Sequence, residues 1–148
     1  DIHISSDFII GFPNESDDDF IATMNLIAEV DYDHSYSFIY SKRPGTPAAE
    51  LPDAISDNTK KQRLNVLKAR IKQNTERKTR AMMGTTQRVL VEKLSERDPE
   101  YMMGTAENTR LVLLPAQPEL LGHFVDVVID EIISINTVRG QKIAWTER

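Results

Sequence analysis

The first 30 residues contain an apolar stretch followed by an amphipathic one. Residues 2–10 end in the apolar run Phe8-Ile9-Ile10, which predicts a strand buried on both faces. Ser16 is a favourable helix N-cap, and three aspartates at 17–19 suit the first turn, where the helix dipole favours negative charge. Apolar residues then recur at helical spacing, at Phe20, Met24 and Ile27. The pattern therefore predicts a strand and then a helix that ends near Val30.

Residues 36–48 predict a second buried strand that ends in a rigid loop. Aromatic side chains alternate along one face of this strand, at Tyr36, Phe38 and Tyr40. Pro44 and Pro47 lack the amide donor that a sheet requires, and Gly45 permits a turn. Strand, helix and parallel strand form one right-handed βαβ unit. One such unit cannot cover both of its faces, so we expect it to be part of a larger sheet.

The remainder of the chain predicts a long helix and then a group of short strands. The helix is predicted from Ser56 or Asp57 to about Met83, with its apolar stripe ending at Ile71 and a polar, solvated second half. Five strands are predicted at 87–92, 102–104, 109–114, 124–132 and 141–145, the last ending at Trp145. Because closure removes exposed edges, we expect a small five-stranded antiparallel barrel of the OB-like type.

The predicted fold class is therefore α/β plus all-β. The predicted domains are residues 1–83, which include the linker helix, and residues 84–148, which form the barrel. The chain has 148 residues, begins with Asp1 rather than Met, and contains no apolar run close to the roughly 20 residues of a membrane helix. We expect it to be a piece of a longer, cytoplasmic protein.

Charge is distributed unevenly along the chain. Residues 1–56 carry a net charge of −9, residues 57–88 carry +8, and residues 89–148 carry −4. A basic segment between two acidic ones favours a polyanionic partner, although a solvated helix surface gives the same pattern. The chain has no cysteine, which excludes disulfides and thiolate metal sites within it. The three histidines lack spaced partners, so no metal site is expected.

Three elements are candidates for binding. The turn at 11–16 follows a buried strand and offers backbone groups and Glu15, and Arg43 at the end of the next strand suits a carboxylate or phosphate. The barrel and its basic helix suit RNA. The barrel residues expected to contact it are Arg88, Arg97, Asn108 and Arg110. Each candidate also has a structural interpretation, as a helix-capping turn or as ordinary exposed polar residues.

Several motifs resemble one enzyme family. Residues 7–20, DFIIGFPNESDDDF, resemble the fifth-strand segment of radical S-adenosylmethionine methylthiotransferases, and residues 37–48, SFIYSKRPGTPA, resemble the sixth strand and its loop. From about Gly84 onward the chain is similar to a TRAM domain, a small RNA-binding barrel. The residues that carry this last similarity are 84–92, 103–110 and 122–127. The resemblance covers nearly the whole chain. It implies that residues 1–83 are the C-terminal βαβ portion of a radical-SAM partial barrel with its linker helix, and that residues 84–148 are a TRAM domain.

The resemblance is greatest to tRNA methylthiotransferases of the MiaB type. It implies an enzyme that adds a 2-methylthio group to N-isopentenyladenosine beside the anticodon, using S-adenosylmethionine and two 4Fe-4S clusters. The cluster cysteines are absent from this chain, which alone is expected to be inactive, with no catalytic residue and no metal ligand. The implied partners are the tRNA anticodon stem-loop and an electron donor, with no membrane, in an enzyme that is monomeric at full length.

The resemblance also implies a set of site residues. The cofactor would be bordered by Gly11, Pro13, Glu15, Tyr40 and Arg43. RNA would be contacted by Lys78 and Arg80 on the helix and by Arg88, Arg97, Asn108 and Arg110 on the barrel. Two residues depart from the family pattern: Asn14 replaces a glycine and Lys42 a proline. Asn tolerates left-handed dihedrals, so the first turn is expected to survive.

Two alternatives remain open from the sequence. One is a related methylthiotransferase that modifies an aspartate of a ribosomal protein and also carries a TRAM domain. The other is a non-catalytic RNA-binding module, against which the unpaired βαβ unit argues, because its apolar faces would lie exposed.

Overall fold

The computed structural model describes residues 2–143, which form two compact units. The first unit contains His3–Thr75 and the second begins at Glu76. This division falls within a long helix, whereas the boundary predicted from the sequence, between residues 83 and 84, lies just after that helix. No helix in the described part of the chain is long and apolar enough to cross a membrane.

The first unit is a βαβ arrangement followed by a long helix. Its elements are β1 (Ser5–Ile10), α1 (Asp17–Val30), β2 (His34–Ile39), a 3₁₀ helix (Pro47–Glu50) and the first part of α2 (Asp57–Arg80). β1 and β2 pair in parallel, with Ser5 opposite His34 and Ile10 opposite Ile39. The predicted order of strand, helix and parallel strand is therefore confirmed.

Helix α1 begins with the cap that the sequence predicts. The backbone amide of Asp19 donates to the Ser16 hydroxyl (3.1 Å), and the Ser16 amide donates to the Asp19 carboxylate (2.9 Å). These two bonds form a reciprocal capping box. The Ser16 amide, and then its hydroxyl, hold the pKa of Asp19 below its ordinary value. The helix ends at Val30, where Asp31 adopts a left-handed conformation (φ 60°).

The two strands are covered on one face only. Phe8 and Ile10 are buried against Ile27 of α1 and against apolar residues of α2, at Leu67 and Ile71. On the opposite face Ile9 is 59% exposed, Tyr36 is 72% exposed and Phe38 is 57% exposed. Both helices pack on the same side of the pair, so the other face is uncovered among the described residues, as expected of a single βαβ unit, which cannot cover both of its faces.

Helix α2 is buried further along its length than the apolar pattern predicts. Beyond Ile71, the polar residues Asn74, Thr75 and Thr79 are buried. The Asn74 side-chain amide donates to the Tyr32 carbonyl (3.0 Å), and the Thr75 hydroxyl donates to the Asp33 carbonyl. Polar side chains face inward here because they satisfy main-chain carbonyls in the link between α1 and β2. The predicted solvated second half of the helix is thus corrected.

The second unit is a closed barrel of five strands. They are β3 (Thr86–Leu94), β4 (Tyr101–Ala106), β5 (Leu111–Pro115), β6 (Phe124–Ile132) and β7 (Thr137–Lys142). Around the barrel the order is β3-β4-β5-β7-β6, and β6 pairs with β3 to close it. The predicted small barrel is confirmed, but its last strand lies earlier than 141–145, and Trp145 falls outside the described residues.

The barrel is mixed rather than antiparallel. Four neighbouring pairs are antiparallel, and β5 and β7 are parallel, with Leu111 opposite Thr137 and Leu113 opposite Arg139. A closed ring with an odd number of strands cannot alternate direction all the way round, so at least one pair must be parallel. The antiparallel prediction is therefore wrong for a reason that the strand count alone imposes.

Two glycines allow neighbouring strands of the barrel to approach closely. A Cβ atom at Gly104 of β4 would overlap the side chain of Val89 and the carbonyl of Leu90 on β3. A Cβ atom at Gly140 of β7 would overlap the Val128 carbonyl on β6. Since barrel interiors are packed at the density of organic crystals, neither site has room for a methyl group.

We expect Gly104→Ala to destabilise the barrel by about 2 kcal/mol or more, because overpacking forces strands apart. Gly45→Ala is the matched control: no heavy atom lies within 4 Å of its added Cβ, and only the positive φ of 84° is strained. Urea unfolding followed by far-ultraviolet circular dichroism measures both. Equal losses in the two variants would contradict the packing explanation.

Candidate functional site

The turn after β1 is closed on itself by Glu15. Gly11 and Asn14 adopt left-handed conformations, with φ of 77° and 61°. The Gly11 amide donates to the Glu15 carboxylate (3.2 Å), and the Glu15 amide donates to the Phe12 carbonyl (2.9 Å). The expectation that Asn14 sustains the turn is confirmed by its dihedral angle. These bonds fix the path of the main chain between the strand and helix α1.

A buried arginine of helix α2, Arg63, forms hydrogen bonds to this turn. The Arg63 Nη1 atom donates to the Glu15 carbonyl (2.7 Å) and lies 3.5 Å from the Glu15 carboxylate. Its Nη2 atom donates to the Asp17 carboxylate (2.7 Å), and its Cζ atom lies 5.6 Å from the centre of the Phe20 ring. Arg63 is only 5% exposed. One guanidinium therefore links helix α2, the turn and the first residues of α1.

A second cation of α2 packs beside the turn. A Cβ atom at Gly11 would lie 2.8 Å from the Lys60 Cγ and Cδ atoms, so the lysine stem occupies the space that the glycine leaves. The Lys60 ammonium donates to the Asp53 carboxylate, which also accepts the Ile55 amide (3.1 Å). The bond from Lys60, and then that from Ile55, hold the pKa of Asp53 below its ordinary value. The Asp53 carboxylate also accepts a hydrogen bond from the Asn14 amide (3.5 Å).

The end of β2 brings an aromatic residue to the same turn. The Tyr40 amide donates to the Ile10 carbonyl (2.7 Å), and the Tyr40 ring packs edge-on against Phe12, with 5.4 Å between centroids. The Tyr40 hydroxyl is buried and has no hydrogen-bond partner among residues 2–143. A buried hydroxyl without a partner is unfavourable, so this atom is a candidate contact for a ligand.

The structure thus gathers four of the five residues predicted to border a cofactor. Gly11, Pro13 and Glu15 share one turn, and Tyr40 contacts that turn through Phe12. Arg43 is exposed on the following loop, where its carbonyl accepts the Thr46 hydroxyl (2.7 Å). Whether these residues bind a cofactor stays a prediction.

Sequence analysis missed three residues that shape this turn, namely Asp53, Lys60 and Arg63. Both cations lie in a helix that is basic along most of its length, so their composition does not distinguish them from exposed neighbours. Their three-residue spacing places them on one helix face. The only available signal was the proximity of that face to the apolar stripe at Leu64 and Leu67.

On the barrel, one predicted RNA contact is buried. Arg110 has no exposed surface. Its Nε atom donates to the Thr79 hydroxyl of α2 (3.0 Å), and that hydroxyl donates to the Ile135 carbonyl (2.6 Å). The last turn of α2 covers the guanidinium, so Arg110 cannot reach a nucleic acid in this arrangement. It anchors the helix end to the barrel instead.

The other predicted RNA contacts lie on or near the surface. Arg80, Arg88 and Arg97 are exposed, and Lys78 is half-buried. Asn108 is engaged internally, because its amide donates to the Met82 sulfur (3.3 Å) and its carbonyl accepts the Arg110 amide (3.2 Å). The exposed arginines remain the predicted nucleic-acid contacts.

Comparison with known proteins finds similarity both for the barrel alone and for the two units together. Residues 80–143, which contain the five barrel strands, match the model of the TRAM domain family. Nearly the whole chain is similar to proteins named tRNA-2-methylthio-N(6)-dimethylallyladenosine synthase. It is 54% identical to that of Acinetobacter baylyi over 141 residues, 95% of the chain and 29% of the relative. For Psychrobacter sp. the identity is 52% over 147 residues, 97% of the chain and 30% of the relative.

A third relative, from Photorhabdus laumondii, is 54% identical over 143 residues, 97% of the chain and 30% of that protein. The predicted resemblance to tRNA methylthiotransferases is therefore confirmed. The chain spans about three-tenths of the length of the curated relatives that it matches.

The Asp53–Lys60 pair makes the first unit sensitive to acid. Because the folded-state pKa of Asp53 is lowered, the pair stabilises fully above the ordinary value of about 3.9, and the stabilisation is lost as pH falls through the folded pKa. Asp53→Asn should therefore lower stability at neutral pH, and its effect should disappear as pH falls below the folded-state pKa of Asp53. Thermal unfolding across this range measures the difference.

Glu29→Gln, a change at an exposed carboxylate in the last turn of α1, serves as the control for this experiment. A pH-independent difference between wild type and Asp53→Asn would contradict the role given to the ion pair.

Proposed function

We propose that this chain is part of a tRNA methylthiotransferase in which the TRAM barrel and the end of α2 bind tRNA. The observation that carries the proposal is identity above 50% over almost the whole chain to proteins whose name specifies a 2-methylthio-N(6)-dimethylallyladenosine product in tRNA. The first unit then contributes one part of the cofactor pocket of the longer enzyme.

The turn after β1 and the end of β2 carry groups that suit a cofactor pocket. Tyr40 presents a buried hydroxyl without a partner, and Phe12 presents a half-exposed aromatic ring beside it. Both groups suit the adenosine part of S-adenosylmethionine, which supplies radical chemistry when bound with an iron–sulfur cluster. The Glu15 carboxylate is held by the Gly11 amide and faces Arg63, so we assign it a positioning role. Clusters require cysteine thiolates, and the chain has none, so other parts of the enzyme must supply them.

The second unit fits contact with a polyanion. Arg80 is exposed at the C-terminal end of α2, and Arg88 is exposed on the neighbouring strand of the barrel. Cations at the end of a helix are also favoured by the helix dipole, so their placement costs the fold nothing. Phosphate contacts of this kind release counterions, which makes affinity depend on salt.

We therefore predict that this chain binds a tRNA anticodon stem-loop with an affinity that falls as salt rises. Arg80→Ala should weaken binding and reduce the slope of log affinity against log salt by about one. Lys61→Ala, a change at an exposed lysine near the start of α2, should leave the slope unchanged. Fluorescence anisotropy at several salt concentrations measures the slopes.

Equal affinity at low and high salt would contradict the proposed tRNA contact. Failure of the stem-loop to bind at any salt concentration would instead favour a protein substrate for the TRAM domain, as in the ribosomal-protein methylthiotransferases that the sequence left open.

A further inference from the structure

Among residues 2–143, the outer surface of the barrel carries two pairs in which a guanidinium lies over an aromatic ring. The Arg88 Cζ atom lies 4.8 Å from the centre of the Phe124 ring, and the Arg139 Cζ atom lies 4.9 Å from the centre of the Tyr101 ring. Stacked arginine and aromatic side chains are the elements from which single-stranded nucleic-acid sites are built. The two pairs differ in how free they are to take a ligand.

The Arg139–Tyr101 pair is engaged by other residues of the barrel. Arg139 forms an ion pair with Glu131 (2.9 Å), and both Arg139 and Tyr101 are half-buried. By contrast, Phe124 is 53% exposed, and no carboxylate of residues 2–143 lies within ion-pair distance of Arg88. The guanidinium therefore covers part of the Phe124 ring and leaves the remainder open.

The position of Phe124 on its strand explains this exposure. Val125 and Val127 of β6 point into the barrel core, so Phe124 and Asp126 point outward. On β3 the core residues Val89 and Val91 likewise place Arg88 on the outer face. In the register of the two strands, Arg88 lies opposite Asp126, one diagonal step from Phe124.

The charges around the pair decide which part of an RNA fits. Apart from Arg88, the exposed charged residues of β3 and β6 are one lysine, Lys93, and four acidic residues, Glu92, Asp126, Asp130 and Glu131, the last of which pairs with Arg139. These carboxylates disfavour a phosphate backbone lying along the two strands. An uncharged base avoids this repulsion and gains from the aromatic ring and the guanidinium plane.

We propose that Phe124, with Arg88, is a stacking site for a single unpaired RNA base on the β3–β6 face of the TRAM barrel. The inference rests on the proposed tRNA binding and adds to it a division of labour. Phosphates are held at the end of α2, and a base is held on the barrel surface. Stacking therefore recognises an unpaired loop, whereas the phosphate contacts are shared by any RNA.

The test compares two RNA probes and three variants of this chain. The probes are a stem-loop with an unpaired loop and a blunt duplex made from the same stem. Phe124→Leu removes the aromatic ring, and Phe124→Trp enlarges it. Phe38→Leu is the matched control, because Phe38 is an exposed phenylalanine of similar exposure (57%) on β2. Circular dichroism melting confirms that each variant is folded.

We expect Phe124→Leu to weaken stem-loop binding about 5-fold or more. Duplex binding and the salt slope should be unchanged, since no phosphate contact is lost. Phe124→Trp and Phe38→Leu should bind the stem-loop as tightly as the wild type. Loss of stem-loop affinity in Phe124→Trp comparable to that in Phe124→Leu would overturn the stacking assignment.

Unchanged stem-loop affinity in Phe124→Leu, in a chain whose wild type binds RNA with the expected salt dependence, would overturn this inference and leave the proposed tRNA binding intact. An equal loss on the duplex would also overturn it, because a duplex end offers no unpaired base. Absence of binding by the wild type would overturn the proposed function itself.

Discussion

The buried guanidinium of Arg63 is the interaction on which the first unit depends. It meets the carbonyl and carboxylate of Glu15 and the carboxylate of Asp17, while little of it is exposed. Removing one partner of a buried charge costs several kcal/mol, because the other is left uncompensated. The turn after β1, the start of α1 and the face of α2 are therefore ordered together. The Gly11 amide is ordered together with them, because it donates to the Glu15 carboxylate.

Helix α2 carries both buried and exposed basic residues. Lys60 and Arg63 are buried and neutralise acidic residues of their own unit. Arg80, at the other end of the helix, is exposed. The net charge of +8 over residues 57–88 thus overstates what is available to a polyanion. Some of these basic residues form internal ion pairs, and only the exposed ones are available to a polyanionic partner.

Local features could be predicted from the sequence because they depend on neighbouring residues. The Ser16 cap, the end of α1 at Val30 and the left-handed Asn14 are determined by side chains within a few positions of one another. Contacts between distant residues could not be predicted in this way. Arg63 reaches Glu15 across 48 residues, and Arg110 reaches Thr79 across 31.

Whether a particular side chain is buried depends on elements that are distant from it in sequence. Arg110 is a basic residue of the kind that contacts RNA, and only its burial beside the end of α2 shows that its role is structural. The face with Ile9 and Phe38 has the sequence of a buried strand and is exposed among the described residues, as expected of a βαβ unit that cannot cover both of its faces. The family resemblance could be recognised from sequence motifs, whereas the pair of Arg88 and Phe124 became visible only from the register of β3 and β6.

Amide hydrogen exchange at Gly11 tests the central claim most directly. In Arg63→Met the Gly11 amide should exchange about tenfold faster or more, since hydrogen bonds to charged groups are worth about 1.5–3 kcal/mol. The Tyr40 amide, bonded to the Ile10 carbonyl, and the barrel amides should keep their protection, as should Gly11 in the surface control Lys61→Met. Unchanged exchange at Gly11 in Arg63→Met would contradict the account, because the turn would then hold its shape without the buried guanidinium.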